Sequence, residues 1–322
     1  MYLAPRLLAR SMWSFCLMEG QLTPSALMQE RRIRLFDSRR VRRGSRHRHT
    51  QADPCLFVNG SELYVFYEVQ ECSEVGYIAA CRTRDLVHFE DLGPVLRRND
   101  HISYPHVLKV GDDVFMLPET KEAGEVALYR FTAFPSGLTR ARRLIAGPYT
   151  DPTLFRTPER WWLFATGPHG LELFSAEDLA SGDFVPHPMN PICTDARLSR
   201  CGGAIVELDG RLFRPAQAFH FGDGGNLRLL EIGELSPSRY AESDWAPELF
   251  TLNEPWQSRG AHHLSLACFA GRTIVAVDGR HPDFVINGTI LNPLWRIIST
   301  LRGVRLPRRA RASRSLVSRS RA

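Results

Sequence analysis

Five segments of the chain share one pattern: a strand, a tight turn and a second strand. They are residues 53–68 (DPCLFVNGSELYVFYE), 104–119 (YPHVLKVGDDVFMLPE), 151–166 (DPTLFRTPERWWLFAT), 202–217 (GGAIVELDGRLFRPAQ) and 263–278 (HLSLACFAGRTIVAVD). Each is 16 residues long without a gap, and their starts lie 51, 47, 51 and 61 residues apart. The turns fall mid-unit, at Asn59-Gly60, Gly111-Asp112, Pro158-Glu159, Asp209-Gly210 and Ala270-Gly271, and are of the kind that joins hairpins. Weaker strand-like stretches follow, at 76–83 and 88–96, 124–131 and 138–145, 170–176 and 184–189, and 226–232 and 239–245. Four strands in every ~50 residues form a blade that cannot bury its apolar face alone and must stack on copies of itself. The expectation is an all-β fold, a five-bladed propeller over residues 51–290.

The ends read differently. Residues 1–50 carry 11 Arg against three acids, and residues 296–322 carry 9 Arg and no acid. The total charge of +6 therefore leaves −11 for the body between. That excludes a uniformly basic nucleic-acid binder. The basic ends could touch anionic lipid or nucleic acid, but with 39 Arg against 2 Lys they read rather as arginine-rich, poorly ordered arms from a GC-rich coding sequence. Residues 1–50 are expected to be a basic arm that supplies a ring-closing strand, with 31–36 the best candidate. A third strand for the last blade is expected near 283–286, a short amphipathic helix at 291–302, and a basic, disordered tail beyond it. The start resembles a signal peptide only weakly, because Arg10 interrupts it. No apolar run approaches the ~20 residues of a membrane span, and a cytoplasmic location is expected. The seven cysteines form no C-x-x-C pair. Cys55, Cys81 and Cys268 sit in apolar strand runs, where a thiol behaves as a small hydrophobe.

In a propeller the first strand of each blade lines the axis. The five opening residues are Asp53, Tyr104, Asp151, Gly202 and His263. Asp53 and Asp151 lie in non-adjacent blades and would face each other across the axis, as two carboxylates must to cleave a glycosidic bond. The bland alternative is that Asp-Pro merely starts a strand. The second strands end at Glu68, Glu119, Thr166, Gln217 and Asp278. Glu119 is the best candidate acid, because Ser103, Tyr104 and His106 surround its blade opening and burial would raise its pKa. Candidate binding residues are Tyr104, His106, Arg200, Arg214, Gln217, His262, His263 and Asp278. Of His262 and His263 only one is expected to reach the axis, because neighbours on a strand point to opposite faces. Neither a metal nor a cofactor is expected. Trp161 and Trp162 read as core and inter-blade packing.

The segments quoted above, with RPAQ and VDGR further on, resemble the five-bladed domain at the N-terminus of plant glucosamine inositolphosphorylceramide transferases. The same domain occurs in bacterial proteins, and a bacterial source is expected. More distantly the chain is similar to glycoside hydrolase families 43, 32 and 68. The hydrolase resemblance implies that Asp53 is a base or nucleophile and Asp151 a supporting carboxylate, and that 260–263 is an axial His motif. The family 43 acid is a Glu at the blade 4 opening, where this chain reads Ser199-Arg200-Cys201-Gly202-Gly203. In the plant proteins sugar transfer is attributed to a separate C-terminal domain. Three functions follow as expectations: a glycosyl-cleaving or glycosyl-transferring enzyme using Asp53, Asp151 and Glu119; a glycan-binding module beside a separate glycosyltransferase; or a protein scaffold with an exposed apolar face. Expected partners are a carbohydrate or glycoconjugate and such a transferase, with no nucleic acid.

Overall fold

The computed structural model describes residues 10–23, 26–38, 49–71, 75–220, 224–244, 248–250, 252 and 254–283. The first two strands, β1 (Arg10–Thr23) and β2 (Ala26–Phe36), belong to the last blade. Blade 1 is β3 (His49–Asn59), β4 (Glu62–Glu71), β5 (Tyr77–Thr83) and β6 (Glu90–Leu96). Blade 2 is β7 (Ser103–Val110), β8 (Asp113–Glu119), β9 (Glu125–Ala133) and β10 (Ser136–Ala146). Blade 3 is β11 (Thr150–Arg156), β12 (Trp161–Gly167), β13 (Gly170–Ala176) and β14 (Val185–Pro186). Blade 4 is β15 (Val206–Leu208), β16 (Arg211–His220), β17 (Gly224–Leu235) and β18 (Tyr240–Ser243). Blade 5 is β19 (Leu264–Phe269), β20 (Arg272–Asp283), β1 and β2. The one helical element among the described residues is a 3-10 turn, Lys121–Ala123, so no described helix can cross a membrane.

Every expected hairpin is the inner pair of a blade, and all five sheets are antiparallel ladders of four strands. The ring closes with two N-terminal strands rather than one. β1 runs against β20 without a register slip from Arg10↔Asp283 to Glu19↔Ile274, and residues 31–36 fall in β2 at the outer edge. The third strand of blade 5 is therefore β1, not 283–286; Asp283 ends β20. Residues 284–322, with the expected helix and tail, lie outside the described residues.

Five apolar clusters fill the five spaces between blades. Alternate side chains of β1 serve two of them. Phe15 and Leu17 pack against Leu56, Leu63 and Val65 of blade 1. Cys16 and Met18 pack against Phe213, Leu227 and Leu229 of blade 4. Trp161 joins the cluster between blades 2 and 3 and Trp162 that between blades 3 and 4, so neither is a sugar platform. Burial of each such side chain is worth about 1.5–3 kcal/mol. The described cysteines are free thiols. Cys55 and Cys81 are buried as expected, whereas Cys268 is exposed.

Candidate functional site

Blades 1, 2 and 3 open in the same strained way. Asp53, Tyr104 and Asp151 have φ of 52, 48 and 50°, the left-handed region that an L-residue occupies at a cost of about 1–3 kcal/mol. Each precedes a proline and sits in a ladder slip: between Ala52 and Cys55, Ser103 and His106, and Thr150 and Thr153. The bulge suits proline, which has no N–H for the ladder. It also turns the preceding N–H out of the strand, and in each case a carboxylate accepts it. Asp278 Oδ2 accepts from Asp53 N at 3.2 Å, Asp53 Oδ2 from Tyr104 N at 3.1 Å, and Glu119 Oε2 from Asp151 N at 3.0 Å. The acids therefore staple each blade to the next.

The second-strand ends form a ring at the same level. Glu68 lies opposite Ala52, Glu119 opposite Ser103 and Thr166 opposite Thr150. In blade 4 Gln217 N donates to Arg200 O, and in blade 5 Asp278 N to His263 O. Two rings of residues thus converge on the axis, with Asp53, Glu68, Glu119, Asp151, Gln217, His263 and Asp278 all buried.

Asp278 is the hub of the blade 5 side. Its Oδ1 accepts His262 N and His263 N, each at 2.9 Å, and its Oδ2 lies 2.5 Å from His262 Nδ1. Burial pushes this carboxyl up, but the His262 charge and these hydrogen bonds outweigh it and hold the group below the usual range. Burial pulls His262 down, and Asp278 with Asp53 more than restores it, so its pKa is raised. Trp13 of β1 stacks on the His262 ring, centroids 3.8 Å apart and 13° from parallel. His263 is pushed down to about 3 by burial and stays neutral. Both histidines face Asp53 Oδ1, His262 Nε2 at 3.7 Å and His263 Nδ1 at 3.6 Å. The expectation that only one reaches the axis is wrong. Both precede β19, which begins at Leu264, so strand alternation does not govern them.

Three further acids, Asp53, Glu68 and Glu119, are held at high pKa. Asp53 is pushed up to about 7 by burial, against the pull of His262, with Asp278 and Asp151 adding to the rise. Glu119 is pushed up to about 8 by burial and by Asp151. Glu68 is raised well above the usual range by burial, Asp53 and Glu119. Asp151 is spanned by Arg200, whose Nη2 and Nε lie 2.7 and 2.8 Å from Oδ2, and by Gln217 Nε2 at 2.8 Å. Arg200 is the accessible part of the mouth: its side chain is 37% exposed, that of Asp151 only 4%. Asp53, His262 and Asp278 each offer an atom within 4.8 Å of the others and could hold a metal ion, but Asp278 already engages His262 Nδ1.

Three expected binding residues are engaged elsewhere. The Tyr104 hydroxyl bonds Thr153 Oγ1 at 2.8 Å and accepts Gly203 N at 2.9 Å, joining blades 2, 3 and 4. Arg214 is fully buried, paired with Glu242 at 2.7 and 2.8 Å and donating to Leu198 O; it stabilises blade 4. His106 lies past the bulge, opposite Leu117, bonded to the Leu154 backbone and lowered to about 4 by burial. The sequence reading missed Trp13, which the fold brings to the site from the far end of the chain. It also missed His101, whose Nε2 lies 3.5 Å from Glu68 Oε1.

Blade 4 breaks the pattern for a physical reason. Leu264 N donates to Gly202 O at 2.8 Å, and Gly203 bridges Leu264 in parallel. A Cβ at Gly203 would sit 2.0 Å from Leu264 O, and one at Gly202 2.3 Å from the Leu227 Cδ2 methyl of blade 4 and 2.9 Å from His262 O of blade 5. The blade 5 backbone and Leu227 occupy the place where a side chain would begin, so this opening has no room for a carboxylate.

Residues 39–280 match the family described as glucosamine inositolphosphorylceramide transferase 1, N-terminal. The chain belongs to this family. Glucosamine inositolphosphorylceramide transferase 1 of rice (Oryza sativa subsp. indica) is 32% identical over 246 residues, 71% of this chain and 33% of that protein. The Arabidopsis thaliana protein of that name is 30% identical over 258 residues, 75% of this chain and 33% of that protein. The chain thus spans about a third of the length of these relatives. Among solved structures, it is similar to an α-L-arabinofuranosidase of Clostridium thermocellum (TM-score 0.54, 11% identity, 70% of this chain and 81% of that one). It is also similar to an arabinanase of Bacillus subtilis (TM-score 0.53, 12% identity, 71% and 96%). At these identities the likeness shows the five-bladed fold alone. The curated relatives are plant proteins, which overturns the expectation of a bacterial source.

Proposed function

We propose that this member of the family is a glycan-recognition propeller whose axial mouth holds a carbohydrate for a glycosyltransferase. The relatives carry the name glucosamine inositolphosphorylceramide transferase 1, and this chain matches a third of their length. The observation that carries the reading is the blade 4 opening. The resemblance to family 43 hydrolases implies an acid within residues 199–203, and this stretch carries no carboxylate and two glycines with no room for a side chain, while Arg200 ties up Asp151 beside them. Around the mouth, buried carboxylates and the Gln217 amide are acceptors and donors suited to sugar hydroxyls, with Arg200 and His262 at the accessible rim.

A second reading has one observation in its favour. Glu119, raised to about 8, stays protonated at neutral pH, as a general acid must. Asp53 would then be the base and Asp151 the supporting carboxylate. Product analysis on each glycan that binds decides between the two. Recognition predicts intact glycan after prolonged incubation. Products that vanish in both Asp53→Asn and Glu119→Gln would establish the enzyme instead.

A further inference from the structure

Away from the axis, we propose a second binding site, in the seam between blades 5 and 1, that takes a neutral sugar ring. A cavity of about 470 Å³ opens there, within the range of about 300–1,000 Å³ in which small-molecule sites fall. Blade 5 lines it with the end of β2, from Arg34 to Asp37, and blade 1 with Gln51, Tyr67, Phe89 and Asp91 among others. Phe36 stands in register with Phe15, and Phe15 with Asp278. The cavity therefore lies two strand positions, about 10 Å, outward from Asp278, and none of its lining residues belongs to the axial ring.

The site is built around Arg34. Its neighbours on β2 are ion-paired, Arg31 with Glu19 at 3.0 Å and Arg32 with Glu254 at 2.9 Å. Among the described residues no carboxylate pairs with Arg34. Its guanidinium lies instead over two rings, 4.8 Å from the Phe89 centroid and 5.1 Å from that of Phe36. Those rings are themselves anchored: Phe36 stacks on Phe15 at 4.2 Å and meets Phe89 edge-on at 5.8 Å. Such a stack holds the flat guanidinium fork in place and leaves its N–H groups to give.

The charge around the cavity selects the class of ligand. Arg34 faces a space that Asp37 and Asp91 also line. An anion drawn to Arg34 meets two carboxylates, and a cation drawn to the carboxylates meets the guanidinium. An apolar guest covers all these groups without bonding them, which is costly. A neutral ring with several hydroxyls suits every one. Its oxygens accept from Arg34 and the Gln51 amide, and its O–H groups donate to Asp37 and Asp91. The guanidinium and the carboxylates are planar groups that can each bond two neighbouring hydroxyls. Phe36 and Phe89, both half-buried, take the C–H groups of the ring.

The test is calorimetric titration of the full chain with methyl glucoside, methyl galactoside and methyl mannoside, and with methyl glucuronide and ethylammonium as charged probes. At least one neutral glycoside should bind. Arg34→Ala and Asp91→Asn should each weaken it at least ten-fold at an unchanged melting temperature, because both side chains are exposed. Arg34→Lys keeps the charge and loses the fork, so it should weaken binding as much; wild-type affinity in that variant would overturn the sugar assignment. Asp53→Asn, at the axis, should bind the same glycoside as the wild type does. Loss of binding in Asp53→Asn, with none in Arg34→Ala and Asp91→Asn, would overturn the seam site and leave the axial one standing. Binding of no neutral glycoside would also overturn the seam site, and the axial reading then stands or falls on whole glycans. Tighter binding of the glucuronide or of ethylammonium, lost in the seam variants, would overturn the neutral ligand.

Discussion

Asp278 joins three chain segments at once, because it accepts N–H groups from Asp53, His262 and His263 and holds the His262 ring. Breaking a buried, hydrogen-bonded ion pair by removing one partner typically costs about 3–5 kcal/mol. Asp278→Ala should fall in that range in urea unfolding, and an effect below about 1 kcal/mol would show that the hub is not structural. Asp53, Glu68 and Glu119 behave in the opposite way. Their folded pKa values lie above those of the unfolded chain, so their contribution is present at low pH and is lost as pH rises through the folded values. Stability should therefore decline between about pH 5 and about pH 8. The double variant Asp53→Asn/Glu119→Gln should flatten that decline. At this scale the sequence spacing was informative: equal positions in the repeats fall on equal positions in the rings, which brings Asp53, Asp151 and Glu119 together. It did not show what each carboxyl bonds to. Tyr104 and Arg214 look free in the sequence and are engaged by other blade residues in the fold.

The element that governs the ring is β1. Its two-sided burial, Phe15 and Leu17 toward blade 1 and Cys16 and Met18 toward blade 4, is why no simple alternation marks it as a strand. Its partner β20 lies at the opposite end of the body, so nothing local identifies it. Phe15→Ala should cost about 3–5 kcal/mol, as large-to-small core changes do. The same strand brings Trp13 to His262. Trp13→Ala should lower the His262 pKa, read from its imidazole resonances, with little change in melting temperature, and Trp13→Phe should restore most of the shift. An unchanged His262 titration would mean that the stack does not position the ring. The inner hairpins, in contrast, were legible because each carries its own turn, with φ above 0 at Gly60, Gly111, Gly210 and Gly271.

Over the whole molecule, five blades contribute to one mouth, and four of the five opening residues carry a side chain. The exception, at Gly202, is set by Leu227 of its own blade together with the His262 carbonyl of blade 5, the latter a contact between segments about 60 residues apart that no local pattern announces. The fold therefore follows from the repeat, and the family from 39–280, while the function rests on the chemistry of the mouth. A shared propeller with arabinanases does not carry their reaction. What this mouth offers is a nearly buried ring of acceptors with Arg200 at its rim. The most direct measurement of that claim is glycan-array binding by the full chain and by Asp53→Asn. The expected result is a defined set of glycans bound by the wild type and weakened at least ten-fold in a variant that melts at the same temperature. Unchanged binding by the folded variant would contradict it and place recognition away from the axis.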